Sequence, residues 1–304
     1  MKYTVFIFFL LSQIVYSQNL YVSTNKKILS SDSKYYFPVL SPDGNKVIFT
    51  TENYKGLFIF DINHNKQRTI SSKQGAGYHP LFSKDGSKIY YRLNEYKGIK
   101  KYSSLFEMNL KNNQINIIES KKRDLSPPEI SGNNLVYTVQ GRLKKTVISN
   151  SPESRNDLEN WTKIENQKIV VFINGKKKFL APNGNGNYIW PQLSPDKTKI
   201  LFTFAGHGTY ICDLDGNILK DLGYLNASKW LNDDWVVGMK DYDNGNFVTD
   251  SDIYAVNINN AQPIALTNTK DEIEMYPDCS GDGSKIVYHT LDGDIYLMTV
   301  KLTK

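Results

Sequence analysis

The chain has 304 residues, 40% hydrophobic and 22% charged, with a formal net charge of +6. This is the composition of an ordinary globular protein and excludes a disordered or fibrous chain. The 20 Tyr and 14 Phe favour sheets, because flat rings pack well on pleated surfaces. Basic residues do not form an aromatic-interleaved stripe, so no nucleic-acid partner is expected.

The N-terminus has the pattern of a secretory signal peptide. Lys2 precedes an apolar run over residues 5–11, and Val15-Tyr16-Ser17 is a small-residue exit. We expect residues 1–17 to be removed between Ser17 and Gln18, leaving an exported protein that is periplasmic or secreted. No Cys follows the apolar run, and no later stretch is long enough to span a bilayer, so the mature protein is expected to lack a lipid anchor and a transmembrane segment.

Residues 36–50 predict a strand, a tight turn and a second strand. Ser41-Pro42-Asp43-Gly44 fits a type I turn, with Pro presetting φ and Gly free to take a positive φ. The flanking segments are rich in β-formers, as in a hairpin.

This hairpin occurs six times along the chain, and two of the six copies are weaker. The copies are residues 36–50, 78–91, 128–137, 190–202, 227–237 and 276–288. A third, alternating strand and a fourth, more polar strand follow most copies. Four strands in about 40 residues, with turn residues at each corner, are typical of propeller blades.

The sequence therefore predicts an all-β, six-bladed propeller over residues 18–304, built from four-stranded antiparallel blades. The last unit lacks a fourth strand, so residues 25–30 are expected to supply it and close the ring. Residues 141–166 are interpreted as an insertion in the third blade, whose remaining strands would be residues 169–173 and 177–180. Cys212 and Cys279 fall in different units and are expected to be unpaired.

The repeated unit Pro-x-x-Ser-Pro-Asp-Gly-x-x-Ile-x-Phe resembles the TolB-like, or WD40-like, propeller repeat. Its best copies span residues 38–49, 80–91, 191–202 and 277–298, and the resemblance covers nearly the whole mature chain. The chain lacks the separate α/β domain that precedes the propeller in TolB. The resemblance implies the fold but not one activity, since such propellers serve as scaffolds, peptidase gates and lyases.

The candidate binding residues are aromatic side chains at the starts of the innermost strands, together with one histidine. They are Phe37, Tyr78, His79, Trp190, Trp230 and Tyr276. One per blade would ring the channel mouth and offer a stacking surface for a peptide or a sugar. The alternative is that these rings pack between the blades, as aromatic residues do in most β-sheet cores.

An acidic segment is a speculative calcium site. Asp241, Asp243, Asp250 and Asp252 alternate with other residues around a Gly, as in the first half of a calcium loop. The distal Glu of an EF-hand is missing, and Asp is common in any hairpin turn. No other cofactor is expected.

No catalytic residue is predicted, because the chain lacks a Gly-x-Ser-x-Gly motif and histidines at metal-ligand spacing. The sequence favours an exported, monomeric, non-enzymatic module that binds an envelope protein or peptide. The alternative is a propeller that binds carbohydrate, or cleaves oligouronides as a lyase, at the channel mouth.

Overall fold

The computed structural model describes residues 19–30, 32–148 and 160–303. The predicted signal peptide lies outside these residues. Seven antiparallel sheets follow one another along the chain and form the blades of a β-propeller. The all-β propeller of antiparallel blades is confirmed, but the predicted number of six blades is wrong.

Within the described residues, five blades have four strands and two have three. Blades I and II contain β2 (Tyr36–Leu40), β3 (Lys46–Thr50), β4 (Lys55–Asp61) and β5 (Lys66–Gln74), then β6 (Leu81–Phe82), β7 (Lys88–Lys97), β8 (Lys100–Asn109) and β9 (Ile115–Lys122). Blades III and IV contain β10 (Glu129–Ser131), β11 (Asn134–Val139) and β12 (Arg142–Val147), then β13 (Trp161–Glu165), β14 (Lys168–Ile173) and β15 (Lys176–Leu180).

Blades V and VI contain β16 (Tyr188–Leu193), β17 (Lys199–Phe204), β18 (Gly208–Asp213) and β19 (Ile218–Gly223), then β20 (Asn226–Trp230), β21 (Trp235–Asp243), β22 (Val248–Asn257) and β23 (Pro263–Ala265). Blade VII contains β24 (Glu274–Cys279), β25 (Lys285–Thr290), β26 (Ile295–Thr303) and β1 (Asn19–Leu29). The one described helix is a 3-10 turn, η1 (Glu52–Tyr54), and no described helix is long and apolar enough to cross a bilayer.

The seventh blade comes from the region interpreted as an insertion. Residues 142–147 are the outer strand β12 of blade III, and residues 161–165 are β13, the innermost strand of blade IV. Residues 169–173 and 177–180, assigned by sequence to the third blade, lie in β14 and β15 of the fourth. The repeat was not recognised in blade IV because β13 and β14 are joined by Asn166 and Gln167, which replace the Ser-Pro-Asp-Gly turn.

The last blade combines strands from both ends of the described chain. β1 pairs antiparallel with β26, from Asn19 opposite Thr303 to Leu29 opposite Ile295. The segment expected to supply the missing strand, residues 25–30, forms most of the second half of β1. This pairing covers the outer edge of β26 with a partner strand.

Seven apolar clusters hold the ring together, one between each pair of neighbouring blades. The alternation of the second strands explains them, because successive side chains point to opposite faces of a sheet. In β3, Val47 and Phe49 pack against blade VII, whereas Ile48 packs against blade II. Every second strand is thus buried on both faces, and the clusters form a closed circle.

Candidate functional site at the upper mouth

The first strand of each blade begins, and the second strand ends, at the same face of the ring. Tyr36 lies opposite Thr50, and Met275 lies opposite His289. We call this face the upper mouth. The Ser-x-Asp turns close the opposite face, where Asp85 accepts a hydrogen bond from Ser83 that holds its pKa below the usual range.

A left-handed backbone residue recurs where the innermost strands enter the upper mouth. These residues, with φ between 48° and 53°, are Phe37, His79, Trp190, Ala227 and Tyr276. In four of the five blades the strand register shifts at this point, which marks a β-bulge. Bulges re-aim side chains, and a left-handed conformation in a bulky residue costs free energy. The geometry therefore places one such residue at the mouth in each of five blades.

Four of the rings around blade I make a continuous surface, which we call the aromatic row: Tyr276, Phe37, Tyr54 and Tyr78. The ring centroids of neighbours in this order lie 4.8, 5.0 and 5.0 Å apart. His79 continues the row at 4.5 Å from Tyr78. These are the separations of attractive aromatic pairs. Tyr78 remains 37% exposed, so the row is open to solvent at its blade II end.

Tyr54 is a site residue that the sequence did not indicate. It lies in η1, the loop between the second and third strands of blade I, and has a φ of 59°. It stacks on Phe37 and touches Tyr78 edge-on, which joins blades I and II. Because it lies outside the repeated hairpin, comparison of the repeats could not reveal it.

One equivalent position near the upper end of each second strand carries very different residues in different blades. Counted from the strand pairing, the equivalent residues are Thr50, Arg92, Thr138, Phe172, Thr203, Met239 and His289. The three threonines are neutral, whereas blades II and VII carry nitrogen bases or cations at the two ends of the aromatic row.

His289 lies beneath the aromatic row and is only 2% exposed. It belongs to β25, which continues to Thr290. Its ring stacks on Tyr276 at 5.6 Å and meets Phe37 at 5.4 Å. Nδ1 donates to the carbonyl of Thr290 at 3.0 Å, and the buried Nε2 has no hydrogen-bond partner. Burial lowers the pKa of His289 to about 4, so the ring is neutral at neutral pH.

Arg92 closes the other end of the row. Its guanidinium lies over the Tyr78 ring at 5.3 Å and donates from Nη1 to the carbonyl of Leu125 at 2.6 Å. Nε is buried without a partner, and burial lowers the pKa of Arg92. His79 at the mouth is reached by solvent, but lost hydration lowers its pKa to about 4, and the charges of Lys229 and Arg92 add to this effect. The Arg92 cation and the neutral His79 ring thus both contact Tyr78.

The six predicted binding residues divide into two groups. Phe37, Tyr78, His79 and Tyr276 come together in one stretch of the mouth, as described above. Trp190 occupies the equivalent bulge of blade V and packs against the cluster between blades VI and VII. Trp230 lies farther along β20, is 9% exposed and packs between blades V and VI. The equivalent mouth residue in blade VI is Ala227, so no aromatic ring stands there.

The four predicted calcium ligands do not converge. In the β21–β22 pair, Asp241 lies opposite Ser251, whereas Asp250 and Asp252 lie opposite Tyr242 and Lys240. Directly opposed residues share a face, so Asp241 is on the other face of the hairpin from Asp250 and Asp252. Asp243 accepts a hydrogen bond from the Gly245 amide at 2.7 Å in the turn. Among the described residues, no group of three His, Cys, Asp or Glu is arranged to hold a metal ion.

A belt of side chains lines the innermost strands below the mouth. The equivalent positions carry Val39, Leu81, Glu129, Lys163, Gln192, Lys229 and Asp278. Asp278 accepts from the Leu40 amide of the next blade at 2.9 Å, and Lys229 lies 3.6 Å from the Asp278 carboxylate. Lost hydration raises the pKa of Glu129 to about 7, and Lys229 and Lys197 oppose this shift. Lys229 and Asp278 thus tie blades VI, VII and I together, and the polar members of the belt lie in blades III to VII.

One shallow cavity lies outside this region. It measures about 160 Å³ between β1 and blade I, and its lining residues are Lys26, Lys27, Ile28, Phe60, Ile62 and Asn65. None of them belongs to the aromatic row, so this cavity is not part of the candidate site.

Comparisons with known proteins support the fold. No protein-family model and no curated protein matches the chain. A solved structure assigned as TolB from Agrobacterium tumefaciens superposes with a TM-score of 0.57 at 15% identity, covering 94% of this chain and 98% of that one. The C-terminal WD40 domain of Sif2 gives 0.56 at 13% identity, with 91% and 84% covered. An oligogalacturonate lyase in complex with manganese gives 0.48 at 13% identity, with 90% and 79% covered. The chain therefore has the fold of TolB-like and WD40-like propellers.

Proposed function

We propose that this protein is an exported, non-enzymatic propeller of the TolB-like kind, which binds an extended segment of a partner protein in the cell envelope at its upper mouth. The observation that carries the proposal is the aromatic row. Four rings from three consecutive blades form a row in which the centroids of neighbouring rings lie about 5 Å apart, and the row stays partly open to solvent. Rigid rings bury much area at little cost in side-chain entropy, which makes them effective binding anchors.

The backbone supports a binding role for these rings. Phe37, His79 and Tyr276 hold strained left-handed conformations that aim their side chains into the mouth. Strain of this kind persists where the surrounding structure enforces it and is concentrated at functional sites. Arg92 at the end of the row adds a donor for a carboxylate of the bound segment.

The proposal is tested with a peptide-display selection on the immobilised protein, followed by titration of the selected peptides. Phe37→Ala combined with Tyr54→Ala should weaken binding at least 100-fold, because two central anchors are lost. Tyr21→Ala is the matched control, since Tyr21 is 45% exposed on the outermost strand of blade VII. The proposal would be contradicted if the double variant and Tyr21→Ala lost binding equally, or if the selected peptides bound the double variant as tightly as the unchanged protein.

A second candidate is a glycan-binding or oligouronide-cleaving propeller. The observation that favours it is the pairing of a fixed cation, Arg92, with a neutral base, His79, beside Tyr78, since an acidic sugar could stack on the ring and bind the cation. A panel of oligouronides assayed for product release separates the two candidates. Turnover that disappears in His79→Gln would establish the enzyme and refute the non-enzymatic role.

A further inference from the structure

Two hairpins project from the ring at the upper mouth. In blade II, β7 and β8 remain paired out to Lys97 opposite Lys100, and in blade VI, β21 and β22 remain paired out to Asp243 opposite Val248. The second strand of blade I ends at Thr50, the equivalent of Arg92, so β7 continues five residues farther. At about 3.3 Å per residue the blade II hairpin extends roughly 15 Å beyond the blade.

Both projecting tips expose apolar side chains. Ile99, at the tip of the blade II hairpin, is 99% exposed, and Tyr96 beside it is 62% exposed. On blade VI, Phe247 is 75% and Tyr242 is 62% exposed. By hydrophobicity alone the two tips are similar, so the difference between them lies in charge.

The blade II tip is basic and the blade VI tip is acidic. Lys97, Lys100 and Lys101 belong to the blade II hairpin, and within the described residues none of them has an ion pair. Blade VI instead places Asp241, Asp243 and Asp250 near its tip.

Arg123, directly after β9, adds to the basic charge of blade II. The register of β9 sets Lys122 opposite Ser103, on the strand that returns from the tip. Lys121 pairs with Glu95 at 3.3 Å and Lys122 with Glu119 at 3.2 Å, whereas Arg123 lies over the Tyr102 ring at 5.8 Å. The basic charge around the apolar tip therefore comes mainly from the hairpin lysines, with Arg123 beside them.

We propose that the blade II hairpin docks the propeller on an anionic lipid bilayer. Ile99 and Tyr96 enter the interfacial region, and Lys97, Lys100 and Lys101 bind the lipid headgroups. An aliphatic and an aromatic side chain next to unpaired lysines is the combination that a negatively charged membrane surface binds. This inference is independent of the proposed peptide site and implies that the upper mouth faces the membrane.

The test is co-sedimentation with vesicles of phosphatidylglycerol in phosphatidylcholine and with vesicles of phosphatidylcholine alone. The full chain and a chain beginning at Gln18 are both used, so that the apolar residues 5–11 do not account for binding. The chain beginning at Gln18 should bind the anionic vesicles and not the neutral ones, and added salt should weaken binding.

Variants at the two tips distinguish lipid docking from general charge attraction. Replacing Lys97, Lys100 and Lys101 with Gln should weaken binding about 100-fold, at roughly tenfold or less per lysine. Ile99→Ser should weaken it about tenfold without changing the charge. Phe247→Ser, on the acidic tip, is the matched control and should bind like the unchanged protein.

Three outcomes would overturn the inference. The first is absence of binding to anionic vesicles, and the second is equal weakening by Phe247→Ser and Ile99→Ser. The third is binding that soluble heparin abolishes but that Ile99→Ser and Tyr96→Ser leave unchanged, which would indicate a polyanion as the partner. All substituted side chains are exposed, so circular dichroism should show an unchanged fold.

Discussion

Blades I and IV reach the same arrangement of inner strands by different local chemistry. In blade I, β2 and β3 are joined by a turn in which Asp43 accepts hydrogen bonds from the Ser41 hydroxyl and the Asn45 amide. In blade IV, the corresponding strands are joined by Asn166 and Gln167, both with positive φ. The two blades share a second strand that is buried on both faces, β3 in one and β14 in the other. The buried strand, rather than the turn, is therefore what a blade requires.

The two regions also differ in how they pack. Among the described residues, the cluster between blades I and II contains eight buried side chains, whereas the cluster between blades III and IV contains four: Val136, Trp161, Val170 and Phe172. Trp161 stacks on Phe172 with the ring centroids 4.0 Å apart. One aromatic pair thus fills a space that several aliphatic side chains fill elsewhere, so stability at this joint depends on few residues.

Trp161→Ala should have the largest effect on stability. Removing one ring of the stacked pair leaves a cavity that the small cluster cannot close, and the free energy of unfolding should fall by about 3–5 kcal/mol. Urea denaturation followed by circular dichroism measures this. Trp161→Phe is the control: it keeps a ring and removes the Nε1 donor, which is buried without a partner, so it should cost much less. A loss below about 1 kcal/mol in Trp161→Ala would show that blade IV does not pack on blade III.

His289, at the upper end of the second strand of blade VII, gives the next largest expected effect on stability. Thr50, Thr138 and Thr203 do not titrate, whereas His289 has a pKa of about 4 in the folded chain, lowered by burial from an ordinary value of 6.5. The unfolded chain therefore binds the proton more tightly. Stability is present above about pH 6.5 and is lost as the pH falls toward 4, by about 2 kcal/mol at pH 5.

His289→Phe should remove this loss while keeping the ring stacked on Tyr276. Thermal denaturation at pH 7.5 and pH 5 should then show a smaller fall in Tm for the variant than for the unchanged protein. The difference between variant and wild type is the measure, because burial raises the pKa of Glu274 to about 7 and gives that carboxyl the opposite pH dependence. Equal falls in Tm would mean that His289 is not buried as described.

The same contrast explains what the sequence could predict. The turn repeat revealed the propeller and the first strands of blades I, II, V and VII, because Pro, Asp and Gly have strong local preferences. Blade IV was assigned to the wrong unit, because a two-residue turn of Asn166 and Gln167 carries no such signature. The residues of the aromatic row were predicted in part. Phe37, His79 and Tyr276 follow from the repeat, whereas Tyr54 and Arg92 reach the mouth through a loop conformation and a tertiary packing arrangement that local patterns do not encode.

The Ser-x-Asp turns should contribute a moderate amount to stability. In blade VII, Asp282 accepts from the Ser280 hydroxyl at 2.6 Å and from the Ser284 amide at 3.0 Å. Asp282→Ala leaves both donors without this acceptor and should cost about 1–2 kcal/mol, measured by urea denaturation. Asp282→Asn keeps an acceptor oxygen and should cost less. If Asp282→Ala has no effect, the turn repeat reflects folding or solubility rather than stability of the native blade.

The smallest effects come from opposite substitutions at the two kinds of turn. Gln167 has a φ of 62°, a left-handed conformation that costs a residue with a side chain about 1 kcal/mol. Gln167→Gly removes this strain but increases the conformational entropy of the unfolded chain. The net effect should be a stabilisation of about 0.5 kcal/mol. Gly44 has a φ of 64°, and a Cβ there would lie 2.9 Å from the Lys285 side chain. Gly44→Ala should therefore destabilise by about 1 kcal/mol. Urea denaturation of the two variants, measured side by side, compares the signs of their changes in the free energy of unfolding. A gain from Gly at 167 with a loss from Ala at 44 would show that both turns use the same backbone conformation and that blade IV meets its requirement without the preferred residue.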